Sequence, residues 1–444
     1  MASRIASSSS RGSRAIYISD PEWSARVAAG RAFATAFRRG LPQVEGRPRT
    51  SHENEDHIED YLKASRLHFI GEWKTRYEQL LDSRDEPPPL PAVRPGCERV
   101  VAHVDMDCFF ASIATRGRPE LAGLPVAVSW ADASSSGNGE IAAANYEARS
   151  HGVQNGSWLK NALALCPDLV TMPYEFAAYT EAAGLLYRAV FEVTPHVMGV
   201  SCDECYCDLT GLPEPEAAAA GLRRAVRCAT GCNASIGIGP NPLLARVATR
   251  RAKPDGQVRI ASAAAAAELR YEKVANLPGV GRKLHKKLLA LGVTTCDELR
   301  RVDAATLRAA VGQASQATLR AYADGKDPRP WEPRPPRKTI GAQSSWGVRF
   351  EAAAEADRFA VKLAAEVGGR LVSLGCRGRL LTLKVWRAQK HADPARSKGS
   401  MGHGMCDHLS KSTQLTEVTS DGATIGRAAV RRDDGRLSTS ARCT

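Results

Sequence analysis

Two acidic clusters stand out for their spacing. The apolar run Val100 to Val104 reads as a buried strand that delivers Asp105-Met106-Asp107 at its end, directly before Cys108-Phe109-Phe110. Roughly one hundred residues later, Ser201-Cys202-Asp203-Glu204 opens a second run that alternates as a strand through Leu209. Acids at the ends of neighbouring strands converge on divalent cations, because Mg²⁺ takes few carboxylates and completes its shell with water and substrate phosphate. Two such ions about 4 Å apart stabilise both the attacking and the leaving oxygen of an in-line phosphoryl transfer. Strand alternation sends Asp203 and Glu204 to opposite faces, so at least one of them sits at a turn. An isolated Asp-x-Asp is equally a strand-end turn, and the chemistry needs further support.

Three other stretches supply it. In Asn145 to Arg149 the phenol of Tyr146 and the guanidinium of Arg149 are three residues apart, share a helix face and can grip a triphosphate. Lys253, in the run AKPDG, adds an ammonium. The run LPGVG, Leu277 to Gly281, matches a helix-hairpin-helix element, in which the backbone amides of Gly279 and Gly281 bind DNA phosphates without reading sequence. Arg282, Lys283, Lys286 and Lys287 extend that surface. Each stretch read alone is also an ordinary turn or solvated helix.

The charge distribution agrees with a metal site beside a phosphate-tracking surface. The 444 residues carry a net charge of +13, which favours a polyanionic partner. Residues 101–240 hold 8 basic and 15 acidic side chains, whereas residues 241–350 hold 21 basic and 9 acidic ones. No run approaches the length of a membrane-spanning helix. The twelve cysteines form no paired CxxC set, so neither structural zinc nor a disulfide scaffold is expected. Reduced thiols point to the cytosol or nucleus.

The elements that must position these groups are mixed α/β. Leu124 to Val128 and Ala234 to Ile238 read as strands, and Phe109 to Ala114 as the start of a helix. Asn241 caps a helix with Pro242 at its first position, and Pro254-Asp255-Gly256 ends it. Glu59 to Leu81 carries one helical pattern, in which Leu67 is a core residue and Arg66 a surface charge. Thr339 to Phe350 and Leu380 to Trp386 look like strands of a last small domain.

In order, HVDMDCFF, NYEAR, SCDE with a following DLT, ASIGIGPNPLLARVATRRAKPDG and LPGVG resemble the motifs of the Y-family translesion DNA polymerases. Residues 61–81, YLKASRLHFIGEWKTRYEQLL, and residues 401–406, MGHGMC, resemble the deoxycytidyl-transferase branch of that family. The resemblance runs from about Glu59 to Arg431. It implies an α+β right-hand polymerase with palm, fingers, helix-hairpin-helix thumb and a partial little finger. The boundaries are then a BRCT-like remnant at 1–33, a linker at 34–58, an N-terminal helical extension at 59–85 and a Pro-rich linker at 86–96. The palm takes 97–123 and 197–260, the fingers 124–196, the thumb 261–325, a tether 326–338, the little finger 339–430 and an irregular tail 431–444.

The resemblance also implies roles. Asp105, Asp203 and Glu204 would be carboxylate ligands of two Mg²⁺ ions, with the Met106 carbonyl a further ligand and Asp107 near the site without being a primary ligand. Phe110 would exclude a 2′-hydroxyl. The backbone around Cys108 and Phe109, with Tyr146, Arg149, Asn155 and Lys253, would hold the triphosphate. Arg66 would replace the template base opposite dCTP, Leu67 would fill the space of an evicted guanine, and the loop Met401, Gly402, His403 and Gly404 would receive it. The substrates would be dCTP and primer-template DNA in the nucleus, with no membrane association.

Relative to that family, the sequence stops before the last helix and strand expected of the little finger. The usual modules for ubiquitin and for recruiting other translesion polymerases are not seen. A conventional template-reading Y-family polymerase and a non-catalytic DNA-binding scaffold remain the alternatives.

Overall fold

The computed structural model describes residues 21–40, 50–131, 139–390 and 404–430. In chain order its strands are β1 (Val101–Met106), β2 (Val126–Val128), β3 (Ala143–Ala144), β4 (Val170–Met172), β5 (Val197–Gly199), β6 (Glu204–Asp208), β7 (Ala234–Gly239), β8 (Gln257–Arg259), β9 (Gly378–Ala388) and β10 (Cys406–Thr419). The chain divides into two units, one of residues 1–38 and 73–334, the other of residues 39–72 and 335–444.

A five-stranded sheet ordered β5-β6-β1-β7-β8 carries the acids of the first unit. β1 lies between antiparallel β6 and β7, and Val101, Ala102, Val104 and Met106 are accordingly buried. The register sets Asp105 opposite Glu204 and His103 opposite Tyr206, so His103, Asp105 and Glu204 share one face. The strand expected over Val200 to Leu209 is shorter: Val200 and Ser201 both donate from their backbone N–H to the Glu204 carbonyl, at 3.1 and 3.0 Å, closing a hairpin before β6. Asp203 therefore sits in the turn.

The helix Pro242–Ala252 lies on that face of the sheet. Its close approach depends on glycine in β7, since a Cβ at Gly237 would stand 2.0 Å from Thr249 N and 2.2 Å from Ala245 O. The expected cap is present, with Asn241 Oδ1 accepting from Leu244 N at 3.0 Å. Arg246, Thr249 and Lys253 recur at helical spacing along one side. Four further helices, Arg282–Ala290, Cys296–Arg301, Ala304–Val311 and Gln313–Ala323, bury Leu288, Leu299, Leu307 and Leu319 in a core shared with Leu243, Leu244 and Val247.

A smaller sheet, β3-β2-β4, carries the segment with Tyr146 and Arg149. Against it packs the helix Pro21–Gly40, which corrects the linker expected from residue 34. Three of its arginines reach backbone carbonyls: Arg38 donates to Trp130 O at 2.7 Å, Arg26 to Ala122 O at 2.7 Å, and Arg31 to Pro167 O. Polar composition there signals anchoring to the neighbouring loops. Residues 1–20 of the expected BRCT-like remnant lie outside the described residues.

The second unit differs from expectation in three places. Glu59 to Leu81 is two helices, His57–Ala64 and one beginning at Arg66, because Ser65 takes extended backbone and its Oγ accepts from His68 N at 3.3 Å. Thr339 to Phe350 forms no strand, since Ser51 engages its backbone: Ser51 N donates to Gly347 O and Arg349 N to Ser51 Oγ, both at 2.8 Å. A helix, Gly422–Val430, does follow β10, contrary to the expectation that the sequence stops short of it. With the helix Ala353–Ser373 and the β9–β10 ribbon it buries Ala364, Leu371, Leu415 and Ile425.

Candidate active site

Backbone register and the helix Pro242–Ala252 converge on one cluster. His103, Asp105 and Glu204 each offer a ligand atom, and the three atoms lie within 4.8 Å of one another. Lys253 Nζ donates to Asp105 Oδ1 at 2.5 Å and lies 3.5 Å from Asp107 Oδ1 and from the Met106 carbonyl. Glu204 Oε2 is 3.3 Å from His103 Nε2 and 3.3 Å from an Arg246 nitrogen. Two strand-adjacent cations therefore face three strand-end carboxylates.

The resulting charge balance is uneven. Burial works to raise the Glu204 pKa, but His103, Arg246 and Lys253 outweigh it and hold the carboxylate below its ordinary range. Burial disfavours the Lys253 ammonium, yet Asp105 and Asp107 dominate and keep it charged. Asp203 is pushed up to about 6, by burial first and then by the Asp105 charge. Its side-chain partners include the Ser201 hydroxyl. The surplus negative charge thus falls on Asp203, the condition under which a half-buried carboxylate cluster takes up a cation. The ligand atoms that the structure brings within 4.8 Å of one another belong to His103, Asp105 and Glu204; Asp203, in the adjoining turn, and the Met106 carbonyl are the further donors expected from the sequence.

Asp107 is committed to structure. It accepts from Asp255 N at 2.7 Å, Ser235 Oγ at 3.0 Å and Tyr146 OH at 3.2 Å. The chain then turns through Cys108 at φ 48° into the helix Phe109–Thr115. Burial pushes the Cys108 thiol up to about 11, which makes it a poor nucleophile. Phe109 lies 5.5 Å from Phe110, and Phe110 stacks on Tyr179 at 4.3 Å.

Asn145 caps the next helix through Ala148 N and also ties Val126 N and Leu124 O, so the Tyr146–Ser150 turn is held on β2. Arg149 Nε donates to Ala144 O at 2.9 Å while its guanidinium lies 5.2 Å from the Tyr146 ring centroid. Asn155 Oδ1 accepts from Ala144 N at 3.2 Å, which ties its side chain to β3.

Other expected residues lie elsewhere. Gly279, at φ +80°, and Gly281 form the turn before the exposed Arg282 and Lys283 of the first unit. Arg66 and Leu67 belong to the second unit, and Leu67 is 49% exposed, which corrects its assignment to a core by periodicity. Gly404 is described, at φ +64°, whereas Met401, Gly402 and His403 lie outside the described residues. Sequence reasoning missed His103, Arg246 and Thr249. His103 precedes Asp105 by two on one strand face, and the helix residues recur at three to four, a signal that becomes visible once the two faces are known to meet.

The profile of the impB/mucB/samB family matches residues 104–250, that of the DNA polymerase-iota thumb domain residues 275–327, and that of the impB/mucB/samB C-terminal domain residues 337–432. A DNA polymerase IV of Alkalilimnicola ehrlichii is 35% identical over 65% of this chain and 81% of that protein. The chain belongs to the Y family of DNA polymerases. Among Y-family relatives, the DNA repair protein REV1 of Arabidopsis thaliana is 36% identical over 83% of the chain, and the chain spans 34% of that protein's length. A solved Y-family DNA polymerase chimera, Dbh-Dpo4(243-245)-Dbh, shares the fold with a TM-score of 0.59 at 22% identity, covering 73% of this chain and 90% of that one. The Y-family fold expected from the sequence is borne out, with palm, fingers and thumb in the first unit and a C-terminal little-finger domain in the second.

Proposed function

We propose that the chain is a DNA-directed nucleotidyltransferase that adds dCMP from dCTP to a primer 3′-hydroxyl opposite guanine, damaged guanine or an abasic site. The observation that carries the reading is the meeting of Asp105 and Glu204 across β1 and β6, with Lys253 at 2.5 Å from Asp105. Bound Mg²⁺, two ions in this reading, supplies stabilisation of the attacking and leaving oxygens. Asp105, Asp203, Glu204 and the Met106 carbonyl hold it. Lys253, with Tyr146 and Arg149, opposes the charge that grows on the departing pyrophosphate.

The choice of dCTP falls to Arg66. A guanidinium is a donor-only fork that serves the O2 and N3 acceptors of cytosine. Thymine places an N–H donor at N3 and loses one of those bonds, a difference of about 1–3 kcal/mol. Leu67 and the 401–404 loop accommodate the displaced template base. The exposed Arg282 and Lys283 track primer-template phosphates. The likeness to eukaryotic REV1 proteins supports a nuclear location for this activity. The likeness to REV1 over 83% of the chain supports the reading.

A second reading, incorporation directed by the template base, is favoured by the likeness to DNA polymerase IV over 65% of the chain. Single-nucleotide incorporation opposite each of the four bases and an abasic site separates the two. The proposal requires dCMP to be preferred opposite guanine and the abasic site, with the preference lost in Arg66→Ala. Equal use of the complementary nucleotide at every base would establish the second reading. Primer-template binding with no incorporation of any nucleotide would leave a scaffold.

A further inference from the structure

Phe110 is buried and confined by three rings: Phe109 at 5.5 Å, Tyr174 edge-on at 6.3 Å and Tyr179 stacked on it at 4.3 Å. The stacked pair spans two helices. Phe110 lies in the first turn of Phe109–Thr115 and Tyr179 in the first turn of Phe176–Val193. Tyr179 is fully buried, so the place of the Phe110 ring depends on how the two helices are held to each other.

One guanidinium ties them. Arg118 donates from Nη1 to the Ala114 carbonyl at 2.7 Å, one of the last-turn carbonyls that a helix leaves for outside donors. The same group meets both carboxylate oxygens of Glu175, at 2.8 and 2.7 Å. Glu175 directly precedes Phe176, and its carbonyl accepts from Tyr179 N at 3.0 Å. A two-bond fork fixes an angle as well as a distance. Over the guanidinium, at 4.3 Å, lies the ring of Phe37, from the helix Pro21–Gly40. That helix precedes the residues matched by the family profiles. An aromatic face attracts a guanidinium, and the Arg118 and Glu175 side chains are only 19% and 14% exposed.

We propose that Arg118 is a positioning residue for Phe110 and that Phe37 fixes Arg118, so that the N-terminal helix sharpens discrimination against ribonucleotides. Arg118 sets the helix Phe109–Thr115 against Phe176–Val193, which seats Phe110 on Tyr179 and holds its ring where a 2′-hydroxyl would collide. This rests on the reading of Phe110 as the residue that excludes that hydroxyl. The role requires neither Arg118 nor Phe37 to touch a nucleotide, because exclusion by shape is lost when the excluding ring shifts by a fraction of its own width.

The readout is the ratio of kcat/KM for dCTP to that for rCTP opposite guanine, where both template readings call for a cytidine nucleotide. A loss of folded protein or of DNA binding lowers both values together and leaves the ratio alone, whereas displacement of Phe110 raises the rCTP value. Phe110→Ala collapses the ratio by about a hundredfold. Arg118→Gln lowers it by about tenfold and Phe37→Leu by about threefold, while Phe37→Tyr, which keeps the aromatic face, stays within about twofold of the parent. A parental ratio in Arg118→Gln beside a collapsed one in Phe110→Ala overturns the inference and leaves the reading of Phe110 standing. If Arg118→Gln fails to fold, Phe37→Leu decides in its place, and a parental ratio there overturns the inference. A parental ratio in Phe110→Ala, or incorporation of neither nucleotide by the parent, overturns the reading of Phe110 and this inference with it.

Discussion

The strand-end cluster and the thumb turn each gather charge, but they hold it in opposite ways. Around Asp105, the charges of Asp105, Asp107, Glu204, Arg246 and Lys253 each have an opposite charge within 3.5 Å, and β1 is closed off by neighbours on both edges. Around Gly279, the basic side chains of Arg282 and Lys283 stand exposed on a short helix. The first arrangement fixes atoms where chemistry demands it. In the proposed function, the second offers positive charge along which a polyanion can slide. Removing a group from the first leaves buried charge uncompensated, whereas removing one from the second subtracts a single solvated contact.

The largest contrast is in catalysis. In the proposed reaction, Asp105→Asn lowers single-turnover incorporation by about a thousandfold, while Lys283→Ala at saturating DNA leaves that rate nearly unchanged. Rapid-quench kinetics on both variants checks it, and similar losses would erase the distinction.

Packing gives the next. Gly237→Ala drives a Cβ into the backbone of the Pro242–Ala252 helix and costs about 3 kcal/mol. Gly279 has open space around it, so Gly279→Ala costs only the strain of its positive φ, about 1 kcal/mol. Urea unfolding of the two variants measures the gap.

A smaller effect is in pH. Because the Asp203 pKa is raised to about 6, its protonated form adds stability that is fully present at low pH and is lost as pH rises through 6 in the metal-free protein. A cation binds the ionised form, so Mn²⁺ affinity rises with pH up to about 6 and binding releases a proton below it. Calorimetry in buffers of different ionisation enthalpy reads that proton, and Asp203→Asn removes it. The thumb has no comparable feature. There, Arg282→Ala or Lys283→Ala weakens DNA binding a few-fold and reduces its logarithmic salt slope by about one, as anisotropy titrations at several salt concentrations will show.

What the sequence disclosed follows the range of the forces involved. Asn241 and Pro242 announced a helix start, and alternating apolar residues announced β1, because caps and strand faces are set within a few residues. Asp105 and Glu204 stood out as acids at strand ends, but their register was not readable from either segment alone. His103 and Thr249 meet across 146 residues, so neither strand nor helix pattern marked them. Ser65 was hidden for a different reason. Its Oγ interrupts a helical pattern that the apolar spacing carries straight through. At Thr339 to Phe350, a strand was expected and none forms, because Ser51 takes hydrogen bonds that a sheet would otherwise claim.

The helix Pro21–Gly40 has a practical consequence for trimming the protein. Val27 and Ala34 are buried on the fingers, and the backbone at Gly30 passes close to Leu124 and Val170. A version begun at residue 50, on the view that everything earlier is tether, would wet that apolar seam and strip the carbonyls of Ala122, Trp130 and Pro167 of their arginine donors. Such a version would be expected to precipitate or to be clipped by proteases near residues 119–131. Retaining the twenty-residue helix keeps that patch dry.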